Sequence, residues 1–131
     1  MEPIKLFLID DDKIFLFLAI KTIDSVGYVT QAQVFHDGLA ALDSLKSIAG
    51  KTELLPDIIF LDLNMPVMDG WEFLNEYLSL NMEKHIPIYL VSSSISPYDV
   101  ERAESIPVVT DFITKPLTKE KVVGLLHNLQ K

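Results

Sequence analysis

Five short apolar segments recur along the chain, and a stretch with helical signals follows each one. They run Ile4 to Ile9, Tyr28 to Phe35, Ile58 to Asp62, Pro87 to Val91 and Pro107 to Thr114. Apolar runs this short, bounded by turn formers, predict strands. The alternation of strand and helix predicts an α/β fold: a parallel sheet with helices on both faces. The helix starts are individually legible. Asp12 can cap a helix that opens at Lys13 and ends at Gly27. Asp37-Gly38 starts the next, with Leu39, Leu42 and Leu45 spaced for one face. Asp69 and Glu72 have capping-box spacing ahead of Phe73, Leu74, Tyr77 and Leu78. Ser96-Pro97 opens a fourth helix, with an acid at Asp99. Thr118 caps a fifth that carries Val122, Leu125, Leu126 and Leu129 on one stripe. Gly50 to Glu53 reads as a polar loop inside a single domain spanning 1–131.

The third strand carries the most information. Ile58 to Leu61 is apolar, Asp62 closes the run, and Asn64, Pro66 and Asp69-Gly70 follow at once. In open α/β sheets the carboxyl ends of the strands form the crevice where ligands bind. An acid there is a candidate for chemistry, although a lone Asp at a strand end more often only caps a turn. The other strand ends change that balance. They carry Asp10 and Asp11 on the first strand, Ser92 on the fourth and Lys115 on the fifth. Two carboxylates about 4 Å apart repel by roughly 4 kcal/mol at an effective dielectric near 20. Three together need a positive partner. A hard divalent cation such as Mg²⁺ suits such a set, and Lys115 adds a fixed positive charge. Ser92 offers a hydroxyl donor. An ionised Asp62 beside Mg²⁺ and a lysine is a plausible nucleophile for phosphorus.

Composition narrows the function classes. A net charge of −8 argues against a nucleic-acid surface, which needs clustered Lys and Arg. The chain has no cysteine, which excludes a disulfide framework or a thiolate metal site. The opening apolar run is broken by Asp10-Asp11-Asp12, too early for a signal peptide or a membrane span, so the cytoplasm is the default expectation. His36, His85 and His127 share no metal spacing, Trp71 is expected to pack at the rim of the site, and Met65 and Met68 to fill loop space.

Four segments together, Leu8-Ile-Asp-Asp-Asp12, Leu61-Asp-Leu-Asn-Met-Pro-Val-Met-Asp-Gly70, Leu90-Val-Ser-Ser93 and Ile113-Thr-Lys-Pro-Leu117, resemble the receiver domain of two-component response regulators over essentially the whole chain. The resemblance implies a five-stranded parallel sheet in the order 2-1-3-4-5 flanked by five helices, with its switch point between strands one and three. It implies that Asp62 is the phosphoacceptor, that Asp11 ligates Mg²⁺ directly, and that Asp10 assists through water. The Asn64 backbone carbonyl would be a further metal ligand. Ser92 would be the switch hydroxyl, Lys115 the phosphate-binding lysine, and Phe112 the switch aromatic. Lys115-Pro116 corresponds to a bond such proteins usually hold cis. Asp12 is read as a helix cap rather than a ligand.

The function implied is a phosphorelay receiver with no output domain. It would accept a phosphoryl group from a sensor histidine kinase or a histidine phosphotransfer domain. It would answer through the face made by helix four, strand five and helix five. Turnover chemistry is not expected beyond its own phosphotransfer and dephosphorylation. Alternatives are a Mg²⁺-dependent phosphatase with an Asp nucleophile, a flavodoxin-like FMN carrier, and a receiver-like module that only binds partners. The first helix is expected to bury Phe15, Leu18, Ala19 and Thr22. Leu16, Ile20 and Ile23, with Phe17 beside them, would then form an outward stripe for a partner or for a homodimer.

Overall fold

A computed structural model describes residues 2–129, so Met1, Gln130 and Lys131 of the expected domain lie outside the described residues. The expected alternation is present. In chain order the elements are β1 (Ile4–Ile9), α1 (Lys13–Ser25), β2 (Thr30–Phe35), α2 (Gly38–Ile48), β3 (Ile58–Asp62), α3 (Gly70–Leu78), β4 (Ile88–Ser92), α4 (Pro97–Glu104), β5 (Val109–Thr114) and α5 (Lys119–Leu129). A single 3₁₀ turn, Thr52–Leu54, interrupts the loop ahead of β3. The sheet is parallel throughout, in the order β2-β1-β3-β4-β5. Strands β2 and β5 start two residues later than their apolar runs. Tyr28, Val29, Pro107 and Val108 lie ahead of the paired residues, although the Val29 carbonyl accepts the Ile4 N–H at 2.8 Å.

Alternation along the central strands makes two cores. Phe7, Ile9, Ile59, Leu61, Ile88 and Leu90 face α2, α3 and α4. Leu6, Leu8, Ile58, Phe60 and Val91 face α1 and α5. Strand β3 is buried at all five positions, which is why it reads as an unbroken apolar run. The caps form as the residue types dictate. Asp12 Oδ1 accepts from the N–H groups of Ile14 and Phe15, at 3.0 Å each. Asp69 and Glu72 close a capping box, as do Ser96 and Asp99.

The inward face of α1 differs from expectation. Phe15, Leu16, Ala19 and Ile23 are buried, whereas Leu18 is 52% exposed. The Asp12 cap fixes the first turn, and from there positions 16, 19 and 23 fall on one line toward the sheet. The outward apolar patch is therefore Ile14, Phe17 and Leu18, not Leu16, Ile20 and Ile23. On α2, Leu39 is exposed, and Gly38, Ala41, Leu42 and Leu45 face inward. The cause is Gly38, where a Cβ would lie 2.9 Å from the Met68 carbonyl oxygen, so the backbone of α2 meets the β3–α3 loop directly. Leu78, expected on the buried stripe of α3, is exposed too.

Candidate functional site

Parallel register brings the polar strand ends to one edge. Ile9 pairs with Leu61, which sets the next residues, Asp10 and Asp62, side by side. Asp62 pairs with Val91, and Ser92 with Thr114, so Ser92 and Lys115 continue the same edge. The Lys115 N–H donates to the Ser92 carbonyl at 2.9 Å. The Gly70 N–H donates to the Leu63 carbonyl at 2.9 Å, and a Cβ at Gly70 would stand 2.6 Å from the Asp62 carbonyl oxygen. A side chain there would push α3 away from the end of β3. Between them, Val67 holds a φ of 68°, while the Met68 N–H donates to the Pro66 carbonyl at 2.7 Å. This is a tight γ-turn, and a β-branched residue with positive φ stores roughly 1–3 kcal/mol.

The three acids converge. One carboxylate oxygen from each of Asp10, Asp11 and Asp62 lies within 4.8 Å of the others. Asp10 and Asp62 are only 2% and 6% exposed, while Asp11 faces solvent. The Lys115 ammonium sits 2.9 Å from Asp10 Oδ2 and 3.8 Å from Asp62 Oδ1. The nearer contact is an ion pair without hydrogen-bond alignment, and it leaves the buried Asp10 Oδ2 with no aligned donor among the described residues. Asp10 Oδ1 accepts from the Asp12 N–H at 2.9 Å. A buried, unaligned carboxylate oxygen facing two more carboxylates is a donor set suited to a small oxygen-loving cation or its water.

Burial pushes the Asp62 carboxyl up, and Asp10 pushes it further. Lys115 pulls back, Asp11 adds to the rise, and the Asn64 backbone N–H lowers it again; the balance stands at about 7. Burial alone would lower the Lys115 ammonium, yet its close side-chain contact with Asp10, and then the charges of Asp10, Asp62 and Asp12, outweigh it and the net shift is upward.

The other expected residues have distinct settings. Ser92 is buried, and its hydroxyl donates to the Ser94 carbonyl at 2.8 Å. Asn64 is exposed in the β3–α3 loop. Phe112 is half-buried, packs on the α2/α3/α4 core, and lines a groove with Val100 and Ala103 of α4. The Lys115-Pro116 peptide is cis. Trp71 packs on the core with the Arg102 guanidinium 4.5 Å above its ring, and Met65 and Met68 fill loop space. His36, His85 and His127 are exposed. One residue escaped the sequence reading. Phe15, expected as plain helix core, puts its ring 4.4 Å from the Lys115 ammonium. Its place one turn beyond the acid pair was the available signal.

Comparison with known proteins agrees with this arrangement. The family described as "Response regulator receiver domain" matches residues 6–127. A crystal structure of a two component response regulator from Cytophaga hutchinsonii superposes with a TM-score of 0.88 at 30% identity, covering 99% of this chain and 98% of that one. The "Probable methanogenesis regulatory protein FilR2" of Methanothrix harundinacea is 30% identical over 130 residues, 99% of this chain and 83% of its own length. A protein-glutamate methylesterase/protein-glutamine glutaminase of Treponema denticola is 33% identical over 121 residues, and there the chain spans only 30% of the relative.

Proposed function

The chain belongs to the response regulator receiver family of two-component signalling, and from that premise we propose that Asp62 accepts a phosphoryl group from a phosphohistidine. A single observation carries the reading: a 6% exposed carboxylate at the end of β3, with an ammonium 3.8 Å away and two further acids beside it. A carboxylate oxygen of Asp62 attacks phosphorus, and the acyl phosphate O–P bond forms as the P–N bond of the donor breaks. The electron pair leaves with the imidazole nitrogen, which takes up a proton.

The residues also fit Mg²⁺. Asp11, Asp62 and the Asn64 carbonyl would hold it, with Asp10 acting through water. Bound there, the cation would supply positive charge against the acids and the incoming phosphoryl oxygens. Lys115 keeps its charge in this setting and, 3.8 Å from Asp62 Oδ1, would pair with a phosphoryl oxygen on Asp62. The Ser92 hydroxyl would exchange its bond to the Ser94 carbonyl for one to the phosphoryl group, an exchange of similar hydrogen bonds with a small net cost. Phe112, half-buried beside α4, would change its packing in response and alter the α4–β5–α5 face for a downstream protein.

The donor, a sensor histidine kinase or a histidine phosphotransfer domain, would meet the Ile14, Phe17 and Leu18 patch on α1 next to the acid pair. The same patch is the candidate face for a homodimer. The role is that of a signalling phosphoacceptor, not a turnover enzyme. No described helix is long and apolar enough to cross a membrane.

Intact mass after incubation with acetyl phosphate and Mg²⁺ tests the core of this reading. The wild type should gain one phosphoryl group, EDTA should prevent the gain, and Asp62→Asn should show none. An adduct that survives Asp62→Asn would move the acceptor elsewhere.

A further inference from the structure

We propose that Phe15 is a positioning residue for the phosphate-binding lysine: its ring face holds the Lys115 ammonium poised between Asp10 and Asp62. The inference rests on the phosphoacceptor reading of Asp62 and deepens it.

Three observations combine. The ammonium lies 4.4 Å from the centre of the Phe15 ring. It is 2.9 Å from Asp10 Oδ2, yet that oxygen receives no aligned hydrogen bond. It is also 3.8 Å from Asp62 Oδ1, too far for a direct hydrogen bond but within reach of an oxygen added to that carboxylate. Side-chain exposure at Lys115 is 16%, so its cation is poorly hydrated and needs protein partners.

Beside two buried acids, a flexible lysine has a ready alternative. It can settle into an aligned, charge-assisted bond with Asp10 and stay there. That geometry would occupy one N–H and turn the ammonium away from Asp62. An aromatic face offers a different attraction. The ring quadrupole draws the cation without accepting a strong hydrogen bond, so the N–H groups remain free to turn toward a phosphoryl oxygen. An aliphatic side chain of similar volume fills the space but exerts no such pull.

Phe15 is itself held firmly. Its backbone N–H donates to the Asp12 cap at 3.0 Å, and the residue is 9% exposed among Leu8, Leu16, Phe60 and Val91. The cap that begins α1 thus also fixes the ring under Lys115. Asp12, which ligates nothing in this scheme, acquires a part in the site through the helix it starts.

The test measures beryllofluoride affinity at saturating Mg²⁺, and separately Mg²⁺ affinity alone, for wild type, Phe15→Leu and Phe15→Tyr. Phe15→Leu should weaken beryllofluoride binding by about three- to tenfold, the range expected from a partly buried cation–ring contact. Mg²⁺ affinity should stay within about twofold of wild type, since the carboxylates are untouched. Phe15→Tyr keeps a ring and should bind nearly as the wild type does. Urea midpoints recorded alongside identify any variant that is not fully folded, and its binding is then scored on the folded fraction. Wild-type beryllofluoride affinity in Phe15→Leu would overturn the proposal. So would an equal loss for Mg²⁺ and beryllofluoride, which marks general distortion, or a Phe15→Tyr as weak as Phe15→Leu. A wild type that binds no beryllofluoride with Mg²⁺ would overturn the phosphoacceptor reading, and this inference with it.

Discussion

Strand β3 has an acid near each end, and the two are held in opposite ways. Asp57, just ahead of the strand, is surrounded by donors. Its Oδ2 accepts the Lys5 N–H at 2.9 Å, and its Oδ1 accepts the Lys84 ammonium at 2.6 Å. The Lys5 ammonium in turn bonds the Glu53 carbonyl, and the Lys84 ammonium also reaches the Leu55 carbonyl at 3.3 Å. Both members of the Asp57–Lys84 pair keep water contact, with side chains 35% and 25% exposed. Asp62 has less water, more like charge and a lysine shared with Asp10. The first acid has its needs met by the fold. The second is left by the fold among like charges, with one ammonium shared between two carboxylates. Strained and unsatisfied groups of this kind are expected where function, rather than stability, selects the arrangement.

The comparison breaks most sharply on phosphoryl uptake. Asp57→Asn should leave the acetyl phosphate reaction at wild-type rate, because its contacts lie at the opposite edge of the sheet from Lys115. Asp62→Asn should abolish the reaction. If Asp57→Asn also lost uptake with its fold intact, the two ends of β3 would not be independent.

A second test uses pH. The Asp62 carboxyl is raised from 3.8 to about 7, so the folded protein holds that proton more tightly than the unfolded chain does. The stability that results is fully present below pH 3.8 and is lost as pH rises through 7. Every tenfold gain in proton affinity corresponds to about 1.4 kcal/mol, so the loss in cation-free protein is on the order of a few kcal/mol. Asp62→Asn has no such proton to lose. The variant should therefore match the wild type at pH 4 and exceed it by a few kcal/mol at pH 8 in EDTA, read from urea midpoints. Titrations remote from Asp10, Asp11 and Lys115 are common to both proteins and cancel in the difference. Adding Mg²⁺ at pH 8 should raise the wild type by binding the folded form and should raise the variant much less. An Asp62→Asn no more stable than wild type at pH 8 would show that the acids are not strained against one another.

Most of the frame was legible because the local signals agreed. Each of the five strands ends on a polar residue or runs directly into one, and the caps at Asp12, Asp37, Asp69, Ser96 and Thr118 all form as their residue types require. The acids were legible because parallel pairing must bring strand ends together. The failures lie where two patterns compete. An apolar helix such as α1 supports several inward stripes, and only the angle set by the Asp12 cap selects 16, 19 and 23. On α2 the inward face follows from the Gly38 approach to Met68, a backbone contact between distant segments that no periodicity encodes. The ring under Lys115 was hidden for a related reason. An apolar residue on a helix is read by its period, and the period does not report that a lysine from the end of β5 lies above it. The Asp57 cluster was missed because Lys5 and Lys84 are remote in sequence and neither stands in a motif.

The smallest effect expected is at Asp57 itself. Asp57→Asn keeps the shape and removes the charge, weakening the hydrogen bond from the Lys5 N–H and the partly exposed, hydrogen-bonded ion pair with Lys84. A hydrogen bond to a charged group contributes about 1.5–3 kcal/mol when buried, but exposed ion pairs contribute about 0–1 kcal/mol. A cost of about 1–2 kcal/mol is expected between those limits. Lys84→Met should cost less, about 0.5–1 kcal/mol, because Asp57 keeps the Lys5 N–H and its water. Both losses should have the same size at pH 6 and pH 8 and should not change when Mg²⁺ is added. That insensitivity distinguishes the two ends of β3 more strictly than the magnitudes do. A structural acid contributes the same stability whatever the cation concentration, whereas an acid waiting for a ligand does not. If the cost of Asp57→Asn rose or fell with Mg²⁺, the cation would be sensed through the whole length of β3. The two acids would then belong to one site.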